Sequence, residues 1–380
     1  THAYIQSGAA IGRLASITDG DGLVTAKTYD ANGQPDLTTA PGGFVTNEDH
    51  DARGNLMSVT DPNGRVTAYA YNQRRQVTDT TADQAGIAAT SASTYDNQGR
   101  IATLTPPADN AGQRPQQATT YTATDKVRLA KLAGTTLSDT AYDSRDWSAS
   151  ETDAAGRVTQ FIRHANGDMN ETRKPGSRTT VFQYDGDNRL TASSNPGSNS
   201  GIRNAAIQYG TTLSGYPGTL ETQADGLQTL SEFDRMGRLR FFTDRGVNTY
   251  ESRYDALGRR THSIPPQSQP TITEYTGNGR VAKITEPGGD TATYAYHPTN
   301  GRPASVTYSG TGGGTVNYTS HDNNGNLLSL NENGANAITR TYDGLNRVTS
   351  YTFGGQTIGY RYYPSGKLAK LIYPGGTENG

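Results

Sequence analysis

The sequence contains no cysteine and little of what builds a large apolar core. The absence of cysteine excludes a disulfide framework, a thiolate nucleophile and cysteine-ligated zinc or iron–sulfur centres. Hydrophobic residues make up 32% of the 380 residues, with one tryptophan, whereas the 45 glycines are well above the usual share. Any hydrophobic core must therefore be thin, and stability has to come from another source.

The chain also lacks an excess of charge of either sign. It has 34 lysine and arginine residues against 36 aspartate and glutamate residues. Nucleic-acid binding and attraction to anionic membranes usually need a basic face, so this balance argues against both. No window reaches the ~18 to 20 apolar residues of a membrane span, and the start, Thr1 to Tyr4, has no signal-peptide pattern. We therefore expect no nucleic-acid partner and no membrane span.

A repeated motif runs through the whole chain. It reads Tyr-Asp-x-x-Gly-Arg followed by an apolar residue. Its commonest spacing is 21 residues, as between Tyr254 and Tyr275. About 17 units tile the sequence, which predicts one continuous repeat region over residues 1–380 with no internal domain boundary. The first position of the motif is occupied by Tyr29, His50, Tyr71, Tyr95, Tyr121, Tyr142, Arg163, Tyr184, Tyr209, Phe233, Tyr254, Tyr275, Tyr296, His321, Tyr342 and Tyr362.

The motif has the composition of a tight hairpin turn. Asp at its start and Gly three residues later favour a type I turn followed by a left-handed residue. Where the glycine is replaced, most replacements are Asn or Asp, which tolerate positive φ best. A second turn signal, often containing proline, recurs eight residues beyond the glycine, as from Gly54 to Pro62. Each unit is therefore predicted to be a β-hairpin and the fold to be all-β. The five replacements are Asn188, Asn346, Asp125, Asp146 and Arg75.

The apolar residues after the motif turn have an unusual spacing. They fall two and five residues beyond the glycine, as Leu56 and Val59 do after Gly54. A spacing of three places residues on opposite faces of a regular strand. Either a β-bulge intervenes or both faces of the sheet are partly covered, and the sequence leaves both alternatives open.

The motif residues are assigned structural roles rather than catalytic ones. Many equivalent aspartates are a turn device, because an active site needs one carboxylate pair in a special environment. The arginines are expected to form ladders by pairing with Asp or stacking on Tyr. The residues chosen to represent the repeat are Tyr29, Asp30, Gly33, Tyr95, Asp96, Gly99, Arg100, Tyr184, Asp185, Phe233, Asp234, Gly237, Arg238, Tyr254, Asp255, Gly258, Arg259, Tyr342, Asp343 and Arg347.

No catalytic, metal or cofactor site is predicted. The six histidines show no metal-ligand spacing, and His50 and His321 stand where the motif has tyrosine, which is read as one ring replacing another. Asp61, in the chain's Asp-Pro-x-Gly sequence, is assigned to an ordinary turn. Intervals of 24 to 26 residues predict extended turns such as residues 194–201. If the outer surface recognises a ligand, these loops and the nearby Tyr216 are the expected places.

The Tyr-Asp-x-x-Gly-Arg-Leu unit at this spacing resembles the YD repeat of bacterial Rhs proteins, of the B and C components of insecticidal toxin complexes, and of the teneurin shell. The resemblance covers essentially all positions, and the bacterial relatives are the better match. It implies a spiral of antiparallel hairpins wound into a hollow shell, with tyrosines stacking between units. It also implies N- and C-terminal caps and a toxin domain, which we expect to lie outside this chain.

The resemblance implies a structural function. The expected role is the encapsulating shell of a secreted or cell-surface bacterial toxin, non-enzymatic and without cofactors, enclosing a C-terminal effector polypeptide of the same parent chain. Secretion machinery and cell-surface glycans are further possible partners. The alternative is an adhesion or carbohydrate-binding repeat protein whose exposed Tyr and Arg stack on sugars.

Overall fold

The computed structural model describes residues 1–109, 112–195, 205–211 and 214–379. Within these ranges the chain forms 35 strands and no α-helix, so the fold is all-β, as predicted. No helix long and apolar enough to cross a membrane occurs in the described ranges. The predicted extended turn at residues 194–201 lies largely outside them, since residues 196–204 are not described.

Two compact units make up the described chain. The first comprises Thr1–Gln116, Glu274–Thr285 and Gly289–Gly380. Its strands are β1 (His2–Tyr4), β2 (Leu14–Thr18), β3 (Val24–Tyr29), β4 (Pro35–Ala40), β5 (Phe44–His50), β6 (Leu56–Thr60), β7 (Val66–Tyr71), β8 (Val77–Ala82), β9 (Ala89–Tyr95), β10 (Ile101–Thr105), β26 (Val281–Thr285), β27 (Thr291–Tyr296), β28 (Pro303–Tyr308), β29 (Thr315–His321), β30 (Leu327–Glu332), β31 (Ala335–Tyr342), β32 (Val348–Phe353), β33 (Gln356–Tyr362), β34 (Leu368–Ile372) and β35 (Glu378–Asn379).

The second unit comprises Gln117–Thr273 and Glu286–Gly288. Its strands are β11 (Gln117–Tyr121), β12 (Val127–Leu132), β13 (Thr135–Tyr142), β14 (Ser148–Asp153), β15 (Val158–Arg163), β16 (Met169–Lys174), β17 (Arg178–Tyr184), β18 (Leu190–Ser194), β19 (Ala205–Thr211), β20 (Gly218–Thr222), β21 (Gln228–Phe233), β22 (Leu239–Thr243), β23 (Thr249–Tyr254), β24 (Arg260–Ile264) and β25 (Thr271–Tyr275), the last of which ends beyond it.

Neighbouring strands pair antiparallel through short turns, as a repeat of hairpins requires. In the first unit β5 pairs with β6 and β6 with β7. In the second unit β22 pairs with β23 and β23 with β24. Each repeat therefore contains two turns. We call the turn at Tyr-Asp-x-x-Gly the motif turn and the next one the return turn.

A β-bulge follows the motif turn and resolves the unusual apolar spacing. Leu56 lies opposite His50, and the register then shifts so that Ser58 lies opposite Asp49 and Val59 opposite Glu48. Because His50 and Glu48 are two residues apart on β5, Leu56 and Val59 point to the same face of the sheet. Of the two open alternatives, the bulge is therefore the one present.

The left-handed positions fall where the turn chemistry requires them. Gly33, Gly99, Gly237 and Gly258 all have positive φ, between 76° and 88°. The five residues that replace the motif glycine also have positive φ, from 60° to 66°: Arg75, Asp125, Asp146, Asn188 and Asn346. The glycine is therefore a backbone requirement, which non-glycine residues meet at a cost in strain.

The buried core is thin. Among the described residues, the buried hydrophobic side chains are Ala10, Ala89, Leu230 and Val306. Two acidic residues, Asp83 and Glu232, are also buried. Because so little apolar surface is fully removed from water, contacts between neighbouring repeats must supply much of the stability.

Candidate functional site in the repeat motif and its seam

The motif aspartate organises its own turn. In the turn after β23, Asp255 Oδ1 accepts hydrogen bonds from the backbone N–H of Leu257 at 2.9 Å and of Arg259 at 3.0 Å. Asp234 does the same with Met236 and Arg238, and Asp343 with Leu345 and Arg347. The same pattern recurs at Asp30, Asp96 and Asp185. One carboxylate oxygen is thus committed to the backbone in each turn.

These contacts favour the charged form of the carboxylate. The side-chain and backbone hydrogen bonds from Arg238 lower the pKa of Asp234 below its usual value. The backbone and side-chain hydrogen bonds from Arg189 do the same for the pKa of Asp185. A lowered pKa suits a turn anchor and is the opposite of what a general acid at neutral pH requires.

The motif arginine contacts the aspartate of its own turn and two groups of the next repeat. Arg238 Nε donates to the second carboxylate oxygen of Asp234 at 2.7 Å. Its guanidinium carbon lies 4.6 Å from the ring centroid of Tyr254 in the next repeat, and Nη1 donates to the Asp255 carbonyl at 3.3 Å. Arg347 makes the equivalent contacts with Asp343, Tyr362 and Tyr363. Arg100 and Arg259 pair with Asp96 and Asp255.

The motif tyrosine adds a contact that the sequence reasoning missed. The hydroxyl of Tyr254 donates to the carbonyl of Leu239 in the preceding repeat, at 2.8 Å. The acceptor is the residue two positions after the preceding motif glycine or its replacement. The ladder between repeats therefore combines a guanidinium on the ring with a hydrogen bond from the hydroxyl. The other pairs are Tyr29 to Leu14, Tyr71 to Leu56, Tyr95 to Val77, Tyr142 to Val127, Tyr209 to Leu190, Tyr296 to Val281 and Tyr342 to Leu327.

Two representative positions depart from this pattern. Phe233 has no hydroxyl, and its backbone N–H donates to the Pro217 carbonyl at 2.8 Å. Tyr184 lies edge-on to His164, with ring centroids 6.4 Å apart. The representative residues are thus turn and ladder positions of individual repeats, spread along both units.

Within the first unit, turns far apart in sequence lie against each other. Return turns between residues 19 and 109 contact motif turns between residues 276 and 367, and we call this set of contacts the seam. Asp19 Oδ2 accepts from Asn278 Nδ2 at 3.2 Å, and Lys367 Nζ donates to Asp109 at 2.9 Å. The partners in these two contacts are 259 and 258 residues apart in the sequence.

The middle of the seam is a reciprocal clamp between two Asp-x-Asn-Gly turns. Asn63 Nδ2 donates to Asp322 Oδ2 at 3.0 Å, and Asn324 Nδ2 donates to Asp61 Oδ2 at 2.7 Å. Asn323 adds two contacts, donating from its backbone N–H to Asn63 Oδ1 and from Nδ2 to the Pro62 carbonyl, both at 3.0 Å. Each turn therefore supplies the carboxylate that the amide of the other needs.

Glycines allow the close approach at the seam. A Cβ added to Gly20 would lie 2.6 Å from the carbonyl oxygen of Gly277. A Cβ on Gly344 would lie 1.8 Å from Asp83 Oδ2. At Gly20 the neighbour is backbone, so the contact requires glycine there. At Gly344 the nearest atoms belong to the side chains of Asp83, which is buried, and Arg65, and these side chains would have to move to admit a Cβ.

Comparison with known proteins agrees with this geometry. The RHS Repeat family model matches residues 10–45 and 50–85, each of which spans one hairpin repeat and its flanking turns. Similar solved structures are the Photorhabdus luminescens Tc holotoxin pore carrying TccC3-D651A (TM-score 0.60, 15% identity, 94% of this chain and 24% of that one) and the crystal structure of TcdB2-TccC3-Cdc42 (TM-score 0.62, 15% identity, 100% of this chain and 25% of that one). A search of curated proteins finds no match.

The chain contains RHS repeats. It spans about a quarter of the length of the solved chains that it matches. At 15% identity the likeness concerns the fold, which is the RHS-repeat sheet of Tc toxin components.

One repeat of the chain exchanges the arginine and the ring. Trp147 stands where the motif has arginine, and Arg163 where the next motif has tyrosine. Arg163 Nη2 donates to Ser148 Oγ at 3.2 Å. Ser148 lies 15 residues earlier, at the position that accepts the tyrosine hydroxyl in other repeats. Arg163 Nη1 donates to the Gly167 carbonyl at 3.1 Å, and Trp147 packs on the same glycine. Both side chains therefore contact Gly167 from exchanged motif positions, and the guanidinium over the Trp147 ring is that of Arg145 in the same turn, at 4.1 Å.

No cluster of three or more metal-ligating His, Cys, Asp or Glu side chains occurs within the described ranges. A cavity of about 620 Å³ lies beside Tyr216, lined by Ser214, Pro217, Arg235 and Met236 among others. The Tyr216 ring lies 5.7 Å from Phe241, centroid to centroid. Tyr216, expected as a recognition position, therefore borders an open cavity in the second unit.

Proposed function

We propose that this chain is part of the encapsulating wall of a bacterial Rhs-type toxin. In this proposal residues 1–380 form a continuous repeat wall, and the motif residues hold the wall together. The wall encloses a C-terminal effector polypeptide of the same parent protein, which is secreted or displayed on the cell surface for delivery to other cells. Its action is steric and needs no catalytic residue.

The seam is the observation that carries the proposal. A sheet of hairpins ends at two rows of turns, and neighbouring rows leave a gap unless their turns bind each other. In the first unit return turns bind motif turns about 259 residues later, through contacts such as Asp19 with Asn278. Rows of turns that bind each other form a continuous surface, which is the property that a barrier to proteases requires.

The side chains of the motif support a wall rather than an active site. Asp234 is committed to its own turn and to Arg238, and Arg238 also contacts Tyr254 and the Asp255 carbonyl. Groups that are used this fully in holding neighbouring repeats have little capacity left to bind or transform a substrate. The fold shared with Tc toxin components favours a toxin-associated role.

Limited proteolysis of the protein made from its complete coding sequence tests the proposal. The C-terminal region should resist protease while the repeats are folded and become digestible once they are denatured. Mass spectrometry of the protected species then identifies the enclosed polypeptide. Rapid digestion of the C-terminal region while the repeats remain intact would show that the repeats enclose nothing.

Carbohydrate binding is the second candidate, favoured by the cavity beside Tyr216. The half-buried Tyr216 ring lines the same cavity as Arg235 and Asp234, which gives a stacking surface with polar neighbours, as in sugar sites. A glycan array probed with the 380-residue chain tests this candidate, with Tyr216→Ala as the matched variant. Binding that the variant loses would support it, and an array without binding would remove it.

A further inference from the structure

One repeat at the seam replaces the motif tyrosine with a histidine. In neighbouring repeats the motif arginine stacks on the ring that follows it, as Arg280 does on Tyr296 at 4.1 Å and Arg238 on Tyr254 at 4.6 Å. After Arg302 the ring position is His321. The guanidinium carbon of Arg302 instead lies 3.7 Å from the ring centroid of Phe44, a residue of β5 that is 258 positions earlier. Arg302 is therefore itself a seam contact.

Arg302 also holds the motif turn that forms the reciprocal clamp. Its Nη1 donates to the carbonyl of Asp322, and its Nη2 donates to the carbonyl of Asn323 at 2.6 Å. Asn323 in turn donates to the Asn63 side chain and to the Pro62 carbonyl. One guanidinium thus links Phe44, the turn at Asp322 and the clamp to Asn63.

We propose that this part of the seam is an acid-sensitive latch, in which protonation of His321 adds a positive charge beside Arg302 and loosens the clamp between the turns at Asp61 and Asp322.

The charged groups around His321 favour this behaviour. Arg302 Nη1 donates to the carbonyl of Asp322, the residue next to His321, so its guanidinium is a positive neighbour of that ring. His297 lies in the same preceding repeat as Arg302. Asp322 in its own turn opposes them, but that carboxylate already accepts from Asn63 and Asn326. Across the seam Phe44 offers only a ring, and Asp61 is paired with Asn324. A protonated His321 would therefore repel Arg302 and weaken its hold on the turn at Asp322.

The direction of the pKa shift sets the pH range. Burial, and then the charge of Arg302, lower the pKa of His321 from its usual value of 6.5. The closed seam thus prefers the neutral ring, so its full strength is present above pH 6.5 and is lost as the pH falls through the lowered pKa. The latch should open in mildly acidic medium and stay closed at neutral pH.

The consequence for delivery rests on the proposed function. If the repeats enclose a polypeptide, an acid-opened seam gives the wall a site of release in an acidified compartment. The latch itself requires no enclosed polypeptide, so it can be tested on the 380-residue chain. Its failure would therefore not count against encapsulation, and the failure of encapsulation would not count against the latch.

Hydrogen–deuterium exchange with mass spectrometry at neutral pH and at about pH 5.5 tests the latch, after correction for intrinsic exchange rates. Peptides covering the turns at 61–65 and 322–326 should lose protection at the lower pH. We expect protonation of His321 to shift the opening equilibrium toward the open seam by up to about tenfold. His321→Tyr restores the motif residue and should abolish the pH response.

His50→Tyr is the matched control, because His50 is also at a motif position but follows Gln34 rather than an arginine. This variant should keep the wild-type response in both turns. Equal protection of the wild-type turns at the two pH values would overturn the latch. An acid response that persists unchanged in His321→Tyr would overturn it as well, because the response would then come from another group.

Discussion

Asn63 donates a hydrogen bond to Asp322, a residue 259 positions later, and Asn324 returns one to Asp61. This reciprocal pair joins two turns that have the same Asp-x-Asn-Gly sequence. The relationship shows how a repeat can bind its own later copies. The residues that shape a turn internally also offer groups outward to another turn of the same type.

Removing one amide of the clamp should weaken the first unit. Asn324→Ala removes the donor to Asp61 Oδ2 across the seam, and we expect a loss of about 1 to 2 kcal/mol in the free energy of unfolding, because a hydrogen bond to a charged group is lost at a partly buried site. Urea unfolding followed by circular dichroism measures this. Asn32→Ala is the control, since Asn32 has the same position in an exposed motif turn, and it should change stability by less than about 0.5 kcal/mol.

The close approach of glycines at the seam leads to a second prediction. Gly344→Ala places a Cβ against the Asp83 carboxylate and should force the two turns apart. We expect faster hydrogen exchange in the turns around residues 83–88 and 343–347. Gly288→Ala is a suitable comparison, because a Cβ there meets no atom within 4 Å. Equal exchange in the two variants would contradict the tight contact.

The tyrosine hydroxyl should contribute measurably to the ladder. Tyr254→Phe deletes the donor to the Leu239 carbonyl and keeps the ring under Arg238. The expected cost is about 0.5 to 1.5 kcal/mol in the free energy of unfolding, the usual contribution of one hydrogen bond. Tyr216→Phe, outside the motif, should cost less. A neutral Tyr254→Phe would leave the ring contact as the whole basis of the ladder.

The exchanged pair of Trp147 and Arg163 is open to a double-mutant cycle. Both side chains contact Gly167, so their effects should be coupled. Trp147→Arg alone places two cations together, and Arg163→Tyr alone places two rings together. The double variant restores the order of the motif and should be more stable than the sum of the single variants predicts, by about 0.5 kcal/mol or more. Strict additivity would show that the exchange is incidental.

The turn carboxylates predict the behaviour of the protein in strong acid. Hydrogen bonds from Arg238 lower the pKa of Asp234 below 3.8, and those from Arg189 do so for Asp185. Their stabilisation is therefore complete above pH 3.8 and is lost as the pH falls through the lowered values. Urea midpoints measured across acidic pH should fall below this point in the wild type. Asp234→Asn should start from a lower midpoint and fall less steeply.

The hairpins could be predicted because their chemistry is local. Asp255 and Gly258 lie three residues apart in one turn, and positive φ at Asn188 and Asn346 follows from the residue types alone. The bulge after Gly54 needed the structure, because the apolar spacing fits two arrangements. Its signal was present in the sequence, yet sequence reasoning alone could not decide between them.

The seam could not be predicted because its partners are about 259 residues apart. Which turn meets Asp61 depends on the small rotation of each hairpin relative to the next, summed over many repeats. No local pattern encodes that sum. The shared Asp-x-Asn-Gly sequence of the turns at Asp61 and Asp322 is a signal only once the pairing is known.

A cryo-EM reconstruction of the protein made from its complete coding sequence tests the central claim most directly. The account predicts a closed wall of hairpins whose rows of turns are joined as Asp61 is to Asn324, with density for additional polypeptide inside. An open sheet with unpaired rows of turns, or a closed wall with no polypeptide inside, would contradict it.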